Sequence, residues 1–345
     1  MSEQAPKTFA EQKEQKGKII LSGMRPTGRL HIGHYVGALE NWIELQGKYI
    51  NYYLIADYHV LTTNLDTSGI YNESIEMVID WIACGIDGEK SPIFRQSQVK
   101  EHTELYLIFC MLITKARLEK NPTVKEQVRD MHIESMIFGH LGYPVLQAAD
   151  ILLYKGDTVP VGEDQVPHVE ITRHIAEVFN HHFPGTNSSQ IFPVPVPKIT
   201  KYARLPGLDG KAKMSKSLNN SIFLSDTIEE IKAKMKKAFT DPNKQLKGDP
   251  GNPDICLVYT YHTKFNPHGE PEIREGCKSG KLGCFDCKMM CSDKIAEQFE
   301  PVRVKRKELE SKPQLVLDIL HSGEERARKT AGETMKQVRE AMKLG

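Results

Sequence analysis

Two short segments of this 345-residue chain combine residue types suited to holding phosphate. The first is Pro26-Thr27-Gly28-Arg29-Leu30-His31-Ile32-Gly33-His34, which links an apolar run to a helix-period segment. Gly28 permits a tight turn there, and Gly33 lets a ligand approach the backbone closely. The helix start offers free N–H groups and a partial positive charge, both suited to an anion. His31 and His34 are three apart and face the same side. As neutral imidazoles they donate hydrogen bonds, and as cations they oppose phosphate charge. The second segment is Gly210-Lys211-Ala212-Lys213-Met214-Ser215-Lys216-Ser217, a glycine with three lysines and two hydroxyls. Lysines are point charges on flexible stems, able to close over a polyphosphate. The charge on a leaving group in phosphoryl or nucleotidyl transfer needs such help. Taken singly, the first segment reads equally well as a plain strand–helix turn, and the second as a solvated basic loop.

A third group is Tyr143, Gln147 and Asp150, spaced four and three apart and therefore on one face of a helix. A polar face within an otherwise apolar helix is costly unless it is used, although a structural ion pair would also use Asp150. The cysteines form a fourth group. Cys84 and Cys110 lie in apolar helical contexts and read as core packing. The other five, Cys256, Cys277, Cys284, Cys287 and Cys291, are crowded together, with a Cys277-x6-Cys284-x2-Cys287 spacing. In a reducing compartment such crowding points to metal, and a four-cysteine site takes either zinc or an iron–sulfur cluster.

The elements that must position these groups follow from composition and periodicity. Lys+Arg is 46 and Asp+Glu 45, a formal net charge of +1, which excludes a uniformly cationic nucleic-acid binder but not a local basic patch. No apolar run reaches the ~20 residues needed to cross a bilayer. The polar N-terminus lacks a secretory apolar segment, so a cytoplasmic protein with no membrane partner is expected. Residues 1–17 read as a mobile tail. Strands are expected near 18–23, 52–57, 92–94 and 158–162, with helical patterns near 32–47, 69–84, 101–118 and 132–140. This alternation implies an α/β fold: a Rossmann-like parallel sheet over 18–222, with ligands outside the carboxyl ends of its strands. Residues 223–345 read as a mostly helical domain, with helices near 226–239, 287–299 and 313–342 and a loop over 240–283.

The pairing of His31-Ile32-Gly33-His34 with the later Lys213-Met214-Ser215-Lys216-Ser217 resembles the double signature of class I aminoacyl-tRNA synthetases. Ser22-Gly23-Met24-Arg25-Pro26-Thr27-Gly28, the segment from Tyr143 to Leu152, Val161-Gly162-Glu163-Asp164-Gln165 and the segment from Ala56 to Thr63 are similar to those of the tryptophanyl branch. The resemblance runs from about residue 18 to the C-terminus. It implies ATP-dependent activation of L-tryptophan and its transfer to tRNA(Trp). Mg²⁺ would accompany the ATP, and the anticodon would bind the helical domain of a C2 homodimer. Arg25, Pro26, Thr27, Gly33, His34, Gly162, Glu163, Asp164 and Leu205 would contact ATP, as would Met214 and Ser217. Lys213, Ser215 and Lys216, assisted by Lys211, would hold the departing pyrophosphate, with His31 and His34 also in the catalytic set.

By the same resemblance, Asp150 would accept the indole N–H, Tyr143 would pack on the ring and Gln165 would hold the amino group. Gln147, Gly23 and His59 would complete that pocket. The Tyr143–Gln147–Asp150 pattern also resembles some tyrosyl-tRNA synthetases, which makes tyrosine the alternative substrate; a non-catalytic RNA-binding paralogue is a further alternative. A subset of tryptophanyl enzymes carries a [4Fe–4S] cluster on a C-x6-C-x2-C core with an earlier cysteine. The resemblance thus implies Cys256, Cys277, Cys284 and Cys287 as ligands, with Cys291 extra.

Overall fold

The computed structural model describes residues 17–123, 136–199, 205–216 and 218–344. Five parallel strands form one sheet: β1 (Ile19–Met24), β2 (Ile50–Ile55), β3 (Ile93–Arg95), β4 (Thr158–Val161) and β5 (Val196–Ile199), in the order β3-β2-β1-β4-β5. Alternate residues face opposite sides, as the pleat requires. Tyr53, Ile55 and Ile93 enter one apolar core, while Leu21, Leu54 and Phe94 enter the other. The order reverses between β1 and β4, and these strands pair through Ile20 and Thr158 alone. Beyond that point they diverge, which opens a crevice at their carboxyl ends, where such sheets bind ligands.

The first helix, α1, begins at Ile32–His34, widens into a π-helical stretch over Tyr35–Leu39 and continues through Glu40–Leu45. There follow α2 (Asp57–Val60), α3 (Ile70–Cys84), α4 (Glu101–Cys110), α5 (Lys115–Glu119), α6 (Phe138–Leu153) and α7 (Val166–His182). The C-terminal part comprises α8 (Ile228–Lys236), α9 (Leu257–Phe265), α10 (Glu270–Lys278), α11 (Cys284–Glu310) and α12 (Pro313–Met342). Its apolar side chains join the sheet's own cores. Ile231, Tyr261, Phe299 and Leu320 share a core with Ile32, Trp42 and Tyr53, and Ala327, Met335 and Val338 pack on the opposite side. Burial of this kind, at ~25 cal/mol per Å² of apolar surface, binds the two parts into one packed body.

Several expectations need correction. β5 is absent from the sequence-based strands because Pro195 and Pro197 argue against one; at the sheet's edge a proline costs no ladder bond that the interior would require. The expected loop over 240–283 contains α9 and α10, whose few apolar residues (Leu257, Val258, Tyr261, Phe265 and Ile273) are all buried. Residues 101–118 form two helices rather than one. The break falls after Cys110, and the Thr114 side chain caps the second helix by accepting from the Arg117 N–H. Of the helix expected over 132–140, residues 132–135 lie outside the described residues, Met136 and Ile137 are not helical, and α6 begins at Phe138. The helix placed at 287–299 runs the full length of α11 despite Pro301.

Candidate active site

The first phosphate-binding segment folds as its residue types require. Gly28 has φ of +65°, a conformation that strains any residue with a Cβ. His31 is the N-cap of α1, and its backbone N–H donates to His34 Nδ1 at 3.3 Å. The two imidazoles stack with centroids 3.7 Å apart. Burial lowers the pKa of both, and the Lys216 charge adds to the effect; mutual repulsion also lowers that of His34. His31 falls to about 4 and His34 to about 3. Both are therefore neutral at physiological pH, and with Nδ1 accepting, His34 carries its proton on Nε2 as a donor.

The second segment is drawn onto the first. The Ile32 N–H donates to the Ile222 carbonyl and the Leu224 N–H to the Leu30 carbonyl, both at 2.9 Å, so the chain beyond the lysine loop zips against the histidine turn. A Cβ on Gly33 would stand 2.9 Å from His31 Nδ1 and 3.2 Å from Met214 Sδ, so a side chain there would push the His31 ring out of place. Lys216 Nζ lies 3.2 Å from the corresponding Cβ position of Gly28, and this lysine also feels Glu73, Asp80 and Glu76. Lys211 and Lys213 stand exposed. The loop is clamped from within by Asn220, which accepts from the Ser215 N–H at 2.8 Å and donates to the Lys213 carbonyl at 3.1 Å. Ser217 and the Asp164 side chain lie outside the described residues. Beneath the histidine turn, buried Asp80 accepts from the Leu30 N–H at 2.6 Å and pairs with buried Arg306 of α11. The helical part is thereby tied to the phosphate end of the cleft.

Between the diverging ends of β1 and β4 lies a cavity of about 370 Å³, within the ~300–1,000 Å³ usual for small-ligand sites. Gly23, Arg25, His59, Tyr143, Gln147, Asp150, Gly162 and Gln165 all line it, so the structure gathers these sequence candidates around one space. Leu205 is buried in the adjoining apolar core, and Glu163 is exposed in a 3₁₀ turn. Asp150 is 2% exposed and accepts from His59 Nε2 at 3.0 Å, His102 Nδ1 at 2.6 Å and Gln96 Nε2 at 2.7 Å. Burial raises its pKa, but the bonds from His102 and His59 outweigh burial and hold it at about 2. Tyr143 OH lies 2.7 Å from His168 Nε2, and His168 Nδ1 lies 3.0 Å from Gln165 Oε1. Burial pushes the Tyr143 phenol up to about 12, so it stays a neutral hydroxyl.

Gln96, His102, His168 and Asn220 were not among the sequence candidates. His168 follows Gln165 by three residues on one helical face, a signal that could have found it. Gln96 and His102 come from a different part of the chain, and only the fold brings them to Asp150.

Of the cysteines, Cys84 and Cys110 are helical and partly buried, as expected. All seven are free thiols. Burial raises the pKa of Cys256, Cys277 and Cys287, and Cys277 and Cys287 are pushed further by neighbouring thiols of the same group. Cys291 is wholly buried on α11. Among the described residues, no group of three or more His, Cys, Asp or Glu side chains stands in an arrangement able to hold a metal ion.

A parallel sheet with both phosphate segments meeting at its carboxyl edge, beside an amino-acid-sized cavity, is the architecture of a class I aminoacyl-tRNA synthetase. The family model described as tRNA synthetases class I (W and Y) matches residues 13–300. The tryptophan–tRNA ligase of Thermotoga maritima is 44% identical, covering 94% of this chain and 99% of its own length. That of Aquifex aeolicus is 39% identical over 94% of this chain and 99% of its own. The Campylobacter jejuni tryptophanyl-tRNA synthetase, solved with ADP and tryptophan, has a TM-score of 0.83 and 33% identity, covering 94% of this chain and all of that one. The chain belongs to the tryptophan–tRNA ligase family of aminoacyl-tRNA synthetases.

Proposed function

We propose that the cleft binds L-tryptophan in the β1–β4 cavity and ATP against the two phosphate segments, forms tryptophanyl-adenylate, and passes the aminoacyl group to tRNA(Trp). The observation that carries this reading is Asp150: an ionised, buried carboxylate at the wall of a cavity that Trp42, Tyr143 and Val161 line on its apolar side and Arg25, His59, Gln147 and Gln165 on its polar side. In such a site, positioning and charge stabilisation do the work, and no side-chain nucleophile is needed. The tryptophan carboxylate attacks the α-phosphorus and pyrophosphate leaves. Mg²⁺ enters with the ATP, bound to phosphate oxygens and water. Neutral His34, with its Nε2–H, donates towards phosphate or ribose. Lys216, whose ammonium reaches the Gly28 turn, takes up leaving-group charge; Lys213, Ser215 and Lys211 assist from the same loop. Arg25, Pro26, Thr27, Gly33, Gly162, Glu163, Asp164, Leu205, Met214 and Ser217 frame the nucleotide. Tyr143, Gln147, Gln165, Gly23 and His59 surround the amino acid. ATP–pyrophosphate exchange with each of the twenty amino acids tests this assignment. Exchange that depends on tryptophan is expected; exchange that depends on tyrosine instead would overturn it.

The reading extends to the rest of the chain. Residues 18–222 act as the catalytic domain and 223–345 as the anticodon-binding domain of a cytoplasmic homodimer. No helix among the described residues is long and apolar enough to cross a membrane. Exposed Leu107 on α4, Met111 at its C-terminal cap and Phe138 on the adjoining α6 offer apolar surface for a second copy. Cys256, Cys277, Cys284 and Cys287 would hold a [4Fe–4S] cluster. Lys244 and Lys288 lie beside these thiols and suit a site of net negative charge, but no three of the thiols stand in a metal-holding arrangement, so ligation would require them to draw together. When bound, the cluster would cross-link α9, α10 and α11. Protein prepared without oxygen should be brown and contain iron and acid-labile sulfide. Colourless protein with one stoichiometric zinc would assign these thiols to zinc instead.

A further inference from the structure

The two oxygens of Asp150 have different surroundings. Oδ1 accepts from His102 Nδ1 at 2.6 Å and from Gln96 Nε2 at 2.7 Å. Oδ2 accepts from His59 Nε2 at 3.0 Å. An ionised carboxylate offers about four lone-pair directions, roughly two on each oxygen. Oδ1 is therefore saturated, and Oδ2 keeps one acceptor direction. His59 lines the cavity, whereas His102 and Gln96, both without any exposed surface, stand behind the carboxylate.

His102 is itself held from the far side. Its Nε2 lies 2.9 Å from the Tyr154 hydroxyl, and the Tyr154 ring is buried and stacked on Tyr52 at 4.7 Å. Because Nδ1 meets a carboxylate, Nδ1 carries the proton; in the neutral ring, Nε2 then accepts from Tyr154. Turning the imidazole would break both bonds in a place that water does not reach, and each broken bond would leave a buried polar group unpaired.

We propose that His102, together with Gln96, is a positioning residue for side-chain selection: by saturating Oδ1 it fixes the plane of the Asp150 carboxylate and leaves one acceptor, on Oδ2, for the N–H on the edge of a heteroaromatic side chain. The proposal rests on the reading of Asp150 as the indole acceptor. It assigns the selection to two buried residues that touch neither substrate nor cavity. A site built to hydrogen-bond a substrate N–H rejects an analogue that lacks it, because its own polar group is then unpaired.

The test compares tryptophan with β-(3-benzothienyl)alanine, in which sulfur replaces the indole N–H, in pyrophosphate exchange by the full-length protein. His102→Leu keeps bulk but deletes the donor, and should lower kcat/KM for tryptophan about tenfold, while kcat/KM for the sulfur analogue changes less than about twofold. His102→Asn, with an amide N–H near the Nδ1 position, should recover most of the loss. Gln96→Met removes the other donor to Oδ1 and no other bond, since Gln96 Oε1 has no partner. It should show the same selective pattern, and it decides the matter if His102→Leu does not fold. Asp150→Asn is the control and should erase the preference for tryptophan over the sulfur analogue. If it does, equal losses on both substrates in the His102 and Gln96 variants would overturn the proposal and leave the role of Asp150 standing. An Asp150→Asn enzyme that keeps the wild-type preference would overturn both.

Discussion

At the amino-acid end of the cleft, side chains are held by other side chains. Asp150 is gripped by His59, His102 and Gln96, Tyr143 by His168, and His168 by Gln165. At the phosphate end, the cations are held far less. Lys211, Lys213 and Lys216 are all exposed, and Lys216 reaches over Gly28 at the start of the histidine turn. The two ends face different tasks. A rigid ring with one hydrogen-bonding edge is selected by a surface already fixed, where no ordering cost falls on the binding step. Polyphosphate charge shifts as the leaving group departs, and lysines on long stems can follow it. Changes at the phosphate end should therefore act on rate, and changes at the amino-acid end on affinity.

The largest effect should come from Lys216→Ala. Removing a group that stabilises developing charge costs ~10²–10³ in rate. Pyrophosphate exchange should fall by that order, while tryptophan affinity, measured by calorimetry, stays unchanged. A parallel loss of affinity would erase the distinction between the two ends. Asp150→Ala should do the reverse, weakening tryptophan binding by ~1.5–3 kcal/mol, the worth of a hydrogen bond to a charged group. It should also lower thermal stability, because two buried donors, His102 and Gln96, lose their acceptor at a cost of ~1–3 kcal/mol each where neither re-pairs. A melting temperature equal to wild type would mean that this network is not pre-built. Asn220→Ala should come third. It frees the Ser215 N–H and the Lys213 carbonyl, so exchange should fall roughly tenfold, in line with two lost bonds of ~0.5–1.5 kcal/mol each. Tryptophan affinity should not change; if it did, the loop would belong to both ends.

How much of this could be read from the sequence follows the same division. The phosphate segments are contiguous, so residue types and spacing reveal them, and the strand–helix alternation places them at a sheet edge. Tyr143, Gln147 and Asp150 are visible as one helical face. The partners that fix Asp150 are not, because Gln96 follows β3 and His102 lies on α4, far from α6 in the chain. A lone histidine in an apolar helix carries no local mark of its partner. β5 and α9 are obscured for a related reason: an edge strand tolerates proline, and a short helix with a few apolar anchors resembles a loop until its neighbours are known.

The property that separates the two ends most finely is their response to acid. His31 and His34 titrate at about 4 and about 3 in the folded protein, below their ordinary 6.5. Between those values the unfolded chain binds more protons than the folded one, so stability must fall as pH drops. The phosphate end thus contributes stability that is complete above pH 6.5 and is lost progressively down to about 3. Asp150 is also depressed, from 3.8 to about 2. Its contribution is intact above pH 3.8 and is lost only below that value, in a lower window. Denaturant unfolding at a series of pH values should therefore show a decline beginning near the ordinary histidine range, and a further one beginning near the ordinary aspartate range. Replacing both histidines with asparagine, which keeps a donor but cannot titrate, should flatten the first decline and leave the second. If the double variant tracked wild type between pH 6.5 and 4, burial of the two imidazoles would not be what lowers their pKa, and their neutral, donor state would lose its physical basis.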